Sequence, residues 1–101
     1  MKLPLILCVS MALVPFAAPV AANTIERACL QSDRNEATRS LCRCVGSAAE
    51  RVLDRNDMRT GARFFTDPEA AQRVQLSDTR RDYAFWDRWR AFAEVAEAMC
   101  S

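Results

Sequence analysis

Between Thr79 and Cys100 the apolar residues Phe85, Trp89, Phe92, Ala96 and Met99 recur at spacings of four, three, four and three. On a 3.6-residue helix that rhythm draws one continuous apolar stripe, with Trp86, Ala93 and Cys100 along one border. Asp87, Arg90, Glu94 and Glu97 fall on the opposite, solvent side. Thr79 is placed to cap the start, with Asp82 three residues on as a carboxylate version of the capping box. A stripe this apolar cannot stand alone in water. The remainder of the chain has to supply the surface that covers it.

The N-terminal part reads differently. Met1-Lys2 is a short positive start, Leu3 to Val14 is almost wholly apolar, and a small-residue segment ends in Val20-Ala21-Ala22. This is the three-part pattern of a secretory signal peptide, with cleavage expected after Ala22. The apolar run falls short of the roughly 20 residues a lasting membrane span needs. Cys8 follows Leu7, whereas a lipidated cysteine normally follows a small residue, so a lipoprotein is not expected. The expected organisation is therefore a signal peptide over 1–22 and one small domain over 23–101, in a periplasmic or secreted protein. No transmembrane segment is expected in the mature chain.

The 79 residues from Asn23 onward carry 13 arginines, no lysine and no histidine, against 13 aspartates plus glutamates. A nucleic-acid-binding domain should show a clear positive excess, so no nucleic acid is expected as a partner. Arginine in place of lysine throughout suits the planar recognition of phosphate or carboxylate. It is read here as a bias of composition.

A domain this small buries a limited core and usually needs staples. Once Cys8 leaves with the leader, Cys29, Cys42, Cys44 and Cys100 remain. An even count in a short exported domain reads as two disulfides. A Cys42–Cys44 bond would strain a segment read as helix, so one of the two pairs with Cys29 and the other with Cys100. The sequence leaves open which is which. In the chain-entropy model the long loop to Cys100 contributes about 4 kcal/mol and the short one to Cys29 about 3 kcal/mol.

Helical signals fill the rest. Thr24 to Gln31 reads as a first helix. Asp33 with Glu36 reads as a cap for a second helix reaching about Leu53, whose stripe is Leu41, Val45, Ala48, Ala49 and Val52. Cys42 and Cys44 lie about 200° apart on that helix, one on each border of the stripe. Met58, Ala62 and Phe65 mark a short helical run, and Gly61 within it lets another helix come close. Asp67 as cap, Pro68 at the first position and Glu69 in the first turn open a further short helix. There is no alternating strand pattern and no repeat. The expected fold is all-α, a disulfide-stapled bundle of four to five helices.

The absence of histidine removes the commonest general base and metal ligand, and excludes Ser-His-Asp and Cys-His triads. Asp54, Asp57, Asp67 and Glu69 fit caps and loops better than an acid–base pair. The Cys42-Arg43-Cys44 element has three readings: a reducible redox pair, a thiolate metal clip, or the anchor of two separate bridges. Its spacing to Cys29 and Cys100 and its compartment favour the structural one. No catalytic residue, metal or cofactor is expected. Phe65, Phe85, Trp89 and Phe92 are assigned to the core. Tyr83 and Trp86 sit off the centre of the stripe and, with Arg88, form the candidate binding surface.

The order Ala28-Cys29-Leu30, Leu41-Cys42-x-Cys44, Phe64-Phe65-x-Asp67-Pro68, Ala71-Gln72, Ser77-Asp78, Phe85-Trp86-x-Arg88 and a near-terminal Cys100 spans almost all of the mature chain. It resembles a group of short exported alphaproteobacterial proteins, some of them labelled arginine transporters. The resemblance implies export, and at most an accessory that binds a solute or a transport partner outside the cytoplasm. The functional expectation is a non-enzymatic exported module that binds a protein or envelope partner. The alternatives are an accessory for a small cationic solute such as arginine, and a thiol-redox or metal-binding protein.

Overall fold

A computed structural model of the protein describes residues 2–4, 12–13 and 21–101. The expected signal peptide over 1–22 lies mostly outside the described residues, as does Cys8. Five α-helices follow one another: α1 (Thr24–Gln31), α2 (Arg39–Val52), α3 (Arg55–Ala62), α4 (Pro68–Leu76) and α5 (Arg80–Cys100). A single 3₁₀ turn, Arg63–Phe65, extends α3. The described residues contain no strand, and the all-α expectation holds. None of the helices among them is long and apolar enough to cross a membrane.

Four helices start on a side-chain cap. Asn23, Thr38, Asp54 and Thr79 accept from the backbone N–H of Glu26, Leu41, Asp57 and Asp82, at 2.9, 3.1, 2.8 and 3.2 Å. Each satisfies an N–H that the first turn leaves without a partner. Hydrogen bonding from Ser77 foremost, opposed in part by desolvation and aided by Thr79 and Arg81, holds the Asp82 carboxyl below its ordinary value. Two caps differ from the sequence reading. The Asp33/Glu36 signal is not used, and α2 begins at Arg39 behind Thr38. The chain must reverse between Cys29 and Cys42, whose Cα atoms lie 5.5 Å apart. A helix opened at Asp33 would have spent the residues that make that reversal. Asp67 does stand before Pro68, but its carboxylate accepts from Arg73 at 3.2 Å rather than from a helix N–H.

The helices pack so that α2 lies along α5, α1 rests on α2 and α3, and α4 rests on the 3₁₀ turn and α5. Ile25, Ala48, Ala49, Leu53, Met58 and Phe92 make the main core, with Val45, Val95, Ala96 and Met99 around it. The α5 stripe is thus covered by α1, α2 and α3, as its rhythm requires. Phe64, Ala70 and Phe85 make a second core toward α4. Phe65, half-buried, packs against the main core with Met58 and Ala62, as their spacing predicts, while Phe64, more buried, belongs to the second core. At about 120° per residue the 3₁₀ turn keeps Phe65 in line with Ala62 and turns Phe64 away toward α4 and α5.

Both glycines are sites of close approach. A Cβ on Gly46 would lie 2.8 Å from the Glu26 Cβ, so α1 crosses α2 there with no room between. A Cβ on Gly61 would come within 3.0 Å of three carbons of the Trp89 indole, Cζ3, Cη2 and Cε3. The indole occupies the notch that Gly61 leaves. The disulfides close the bundle: Cys29–Cys42 ties α1 to α2, and Cys44–Cys100 ties α2 to the end of α5. Their loops span 13 and 56 residues of sequence separation, which in the chain-entropy model stabilise by about 3 and about 4 kcal/mol.

Helix propensity and packing oppose each other at Gly61, which makes a clean test. In an open helix Gly61→Ala would stabilise by about 1 kcal/mol. Displacing the indole should outweigh that, for a net loss of about 1–2 kcal/mol in urea unfolding. A gain in stability would mean that the notch is not filled.

Candidate partner-binding face

The candidate surface begins with α5. Phe85, Trp89 and Phe92 face inward, and Trp89 stacks on Phe85 at 5.9 Å between ring centroids and meets Phe92 at 4.9 Å. From the 3₁₀ turn Phe64 meets Phe85, Trp89 and Trp86 at 5.9, 5.1 and 6.5 Å. The first two of those contacts are edge-to-face, the arrangement favoured by the ring quadrupoles. This aromatic ladder makes the first half of α5 rigid. A rigid backbone lets side chains on its outer border be held in place without loss of conformational freedom on binding.

Tyr83 and Trp86 stand on that border, one helical turn apart. Tyr83 is 70% exposed, and Trp86 is half-buried with one side against Phe64. Phe64, which Trp86 meets, also lines an open groove of about 260 Å³ with Phe65, Pro68, Ala71 and Trp89, with Arg34 of the α1–α2 connection at its rim. Leu76, at the end of α4, is 80% exposed. The groove is shallow and open, as are the other concavities among the described residues. A small-molecule site usually buries most of its ligand, whereas a shallow apolar groove rimmed by polar groups suits a side chain of a larger partner.

Arg88 has a different task. It lies about 200° around α5 from Trp86, on the other side of the helix. Its Nε and a terminal nitrogen donate to the two carboxylate oxygens of Asp57 at 2.7 and 2.9 Å, a bidentate fork. The Asp57 side chain is 6% exposed and that of Arg88 44%. Hydrogen bonding to Asp57, the leading influence, raises the affinity of the guanidinium for its proton. The structure thus brings Tyr83 and Trp86 together and commits Arg88 to α3. Asp57 sits three residues after the cap Asp54, which in sequence marks it as part of a helix start. Its partner is 31 residues away and no local signal announces it.

Cys29, Cys42, Cys44 and Cys100 are all engaged in the two bridges. The Cys42-Arg43-Cys44 element sends one bond to each side of α2, as the 200° offset implies, and the pairing that was open is settled as Cys29–Cys42 and Cys44–Cys100. Among the described residues no group of three His, Cys, Asp or Glu side chains gathers closely enough to hold a metal ion. Comparison of the chain with protein-family models, with curated proteins and with solved structures finds no match.

Removing the Arg88 fork leaves a buried carboxylate without its counter-charge. Breaking a fully buried pair costs about 3–5 kcal/mol, and the water that reaches the half-exposed guanidinium reduces this. Arg88→Ala should therefore lower stability by about 2 kcal/mol in urea unfolding, while Tyr83→Ala should change it by less than about 0.5 kcal/mol. Equal stability of Arg88→Ala and the wild type would show that the fork is dispensable.

Proposed function

We propose that this chain is a non-enzymatic, exported helical module that binds a protein or envelope partner through the face around Tyr83 and Trp86. One observation carries the reading: an exposed tyrosine and a half-buried tryptophan stand one turn apart on a braced helix, and the tryptophan meets Phe64 on the wall of an open aromatic groove. Tyrosine and tryptophan dominate the energetics of interfaces because they offer large area with few torsions to immobilise. The role of Arg88 in the reading is to brace this face from behind through Asp57, not to touch the partner.

Several features support export. The N-terminal pattern of residues 1–22 is that of a signal peptide. Two disulfides in a small domain fit an oxidising compartment, a periplasm or the cell exterior. The resemblance to short exported alphaproteobacterial proteins points the same way. The absence of histidine and the engagement of Cys29, Cys42, Cys44 and Cys100 in bridges support a binding role over catalysis.

The test is affinity capture from a cell-envelope extract with wild-type protein and with Tyr83→Ala and Trp86→Ala. Loss of a hot-spot aromatic costs about 2 kcal/mol or more, so the captured partner should bind at least about thirtyfold more weakly to each variant. Tyr83→Ala is the cleaner arm, because its side chain is exposed and its loss leaves the fold intact. A partner retained equally by both variants would place the interface elsewhere.

A further inference from the structure

A second surface is built from arginine. Arg55, Arg59 and Arg63 recur every fourth residue along α3 and into the 3₁₀ turn, and all three are exposed. Arg27 faces them from α1. Two adjoining concavities, about 790 and 270 Å³, run between these helices and share Thr24 and Arg27. Met58, Leu53, Ala28 and Ala62 supply the apolar floor. Four other arginines are matched with acid, Arg73 with Asp67, Arg81 with Asp82, Arg88 with Asp57 and Arg90 with Asp87, while the remaining unpaired ones are scattered over α2, the α1–α2 connection and the start of α5. The four groove arginines form no ion pair among the described residues. Arg27 donates only to the Ala22 carbonyl and Thr24, and Arg59 to Asn56. The groove also holds two carboxylates, Asp54, which caps α3, and Glu50, which accepts from Asn23 at 3.4 Å, and neither forms an ion pair with the four arginines. Four guanidinium groups therefore line one trough against two carboxylates, an excess of positive charge that an anionic ligand can balance.

We infer that the trough between α1 and α3 is a docking site for an acidic peptide segment of a partner protein, with Arg27, Arg55, Arg59 and Arg63 gripping its carboxylates. The charge balance selects an anionic occupant, and the planar fork of arginine suits carboxylate oxygens. The shape selects a peptide over a membrane: a bilayer is flat, whereas these arginines stand on the walls of a concave channel with an apolar floor. The spacing suits a helix. Residues four apart rise about 6 Å, so acids recurring every fourth residue on a partner helix would meet the α3 ladder in register. Leucines beside those acids would reach the floor. This site is separate from the Tyr83–Trp86 face and does not depend on it.

The probe is a synthetic helical peptide of Glu-Ala-Ala-Leu repeats, titrated into the full mature protein at low salt. The same peptide with glutamine for glutamate and vesicles of phosphatidylglycerol serve as comparators. The glutamate peptide should bind, and binding should weaken as added salt shortens the Debye length from about 30 Å to about 8 Å. Arg59→Glu/Arg63→Glu should weaken it at least about tenfold. Arg80→Glu/Arg81→Glu, which reverses two exposed arginines outside the trough, should leave it unchanged, as should Tyr83→Ala. The inference is overturned if the glutamine peptide binds as well, if only vesicles bind, or if the two double variants behave alike.

Discussion

The indole of Trp89 sits where a side chain on residue 61 would have to be, and much of the architecture follows from that contact. It brings α3 against α5 at van der Waals distance. The residue just before Trp89 on the same helix, Arg88, reaches across and closes on Asp57. Apolar filling and a charged fork thus act at neighbouring positions on one helix pair. The fork fixes the rotation of α5, because only one setting of the helix points Trp89 into the notch and Arg88 at Asp57 together. With the rotation fixed, Phe85 and Phe92 turn to the interior and Tyr83 and Trp86 turn to the border.

The far end of α5 is fixed covalently. Cys44–Cys100 holds the last turn to the middle of α2, and Cys29–Cys42 holds α1 to the opposite border of α2. A helix of 21 residues, about 31 Å long, would otherwise outrun the short helices that cover it. α1 and α3 have eight residues each, too few for stability of their own. The bridges restrict the unfolded chain and so offset the small core that such helices can offer. The C-x-C spacing gives this its economy, since one helix serves two bridges because its two cysteines face different neighbours.

Much of this was legible in the residues. The Phe85–Met99 rhythm marks the long helix and its buried face, and Thr79, Asp54 and Pro68 mark helix starts. The bare position at Gly61 signals a close neighbour, and the offset of Cys42 from Cys44 signals two separate bridges. What stayed illegible depends on distant parts of the chain. Nothing near Asp57 points to Arg88, and nothing near Arg88 marks it as a brace. The choice between Cys42 and Cys44 for Cys100 rests on the handedness of the packed bundle, which no local pattern carries. Asp33 and Glu36 resemble a cap, but the reversal needed between Cys29 and Cys42 overrides them. Phe64 has no place on the Met58–Ala62–Phe65 stripe, and only the packing of α4 and α5 around the 3₁₀ turn buries it. Of the candidate surface, Tyr83 and Trp86 were recognisable by their offset from the stripe, whereas Arg34 at the groove rim lies in a stretch whose cap-like pattern pointed to a helix start instead.

The account depends on a leader that is removed and on two bridges that connect α2 to both of its neighbours. Intact mass of the protein recovered from its own compartment, alkylated before reduction and then mapped by proteolysis without reduction, tests both. The account predicts the mass of Asn23–Ser101 less four hydrogens, two for each disulfide, with no alkylation and with linked peptides joining Cys29 to Cys42 and Cys44 to Cys100. Free thiols, a retained 1–22 segment, or peptides joining Cys42 to Cys100 would contradict it.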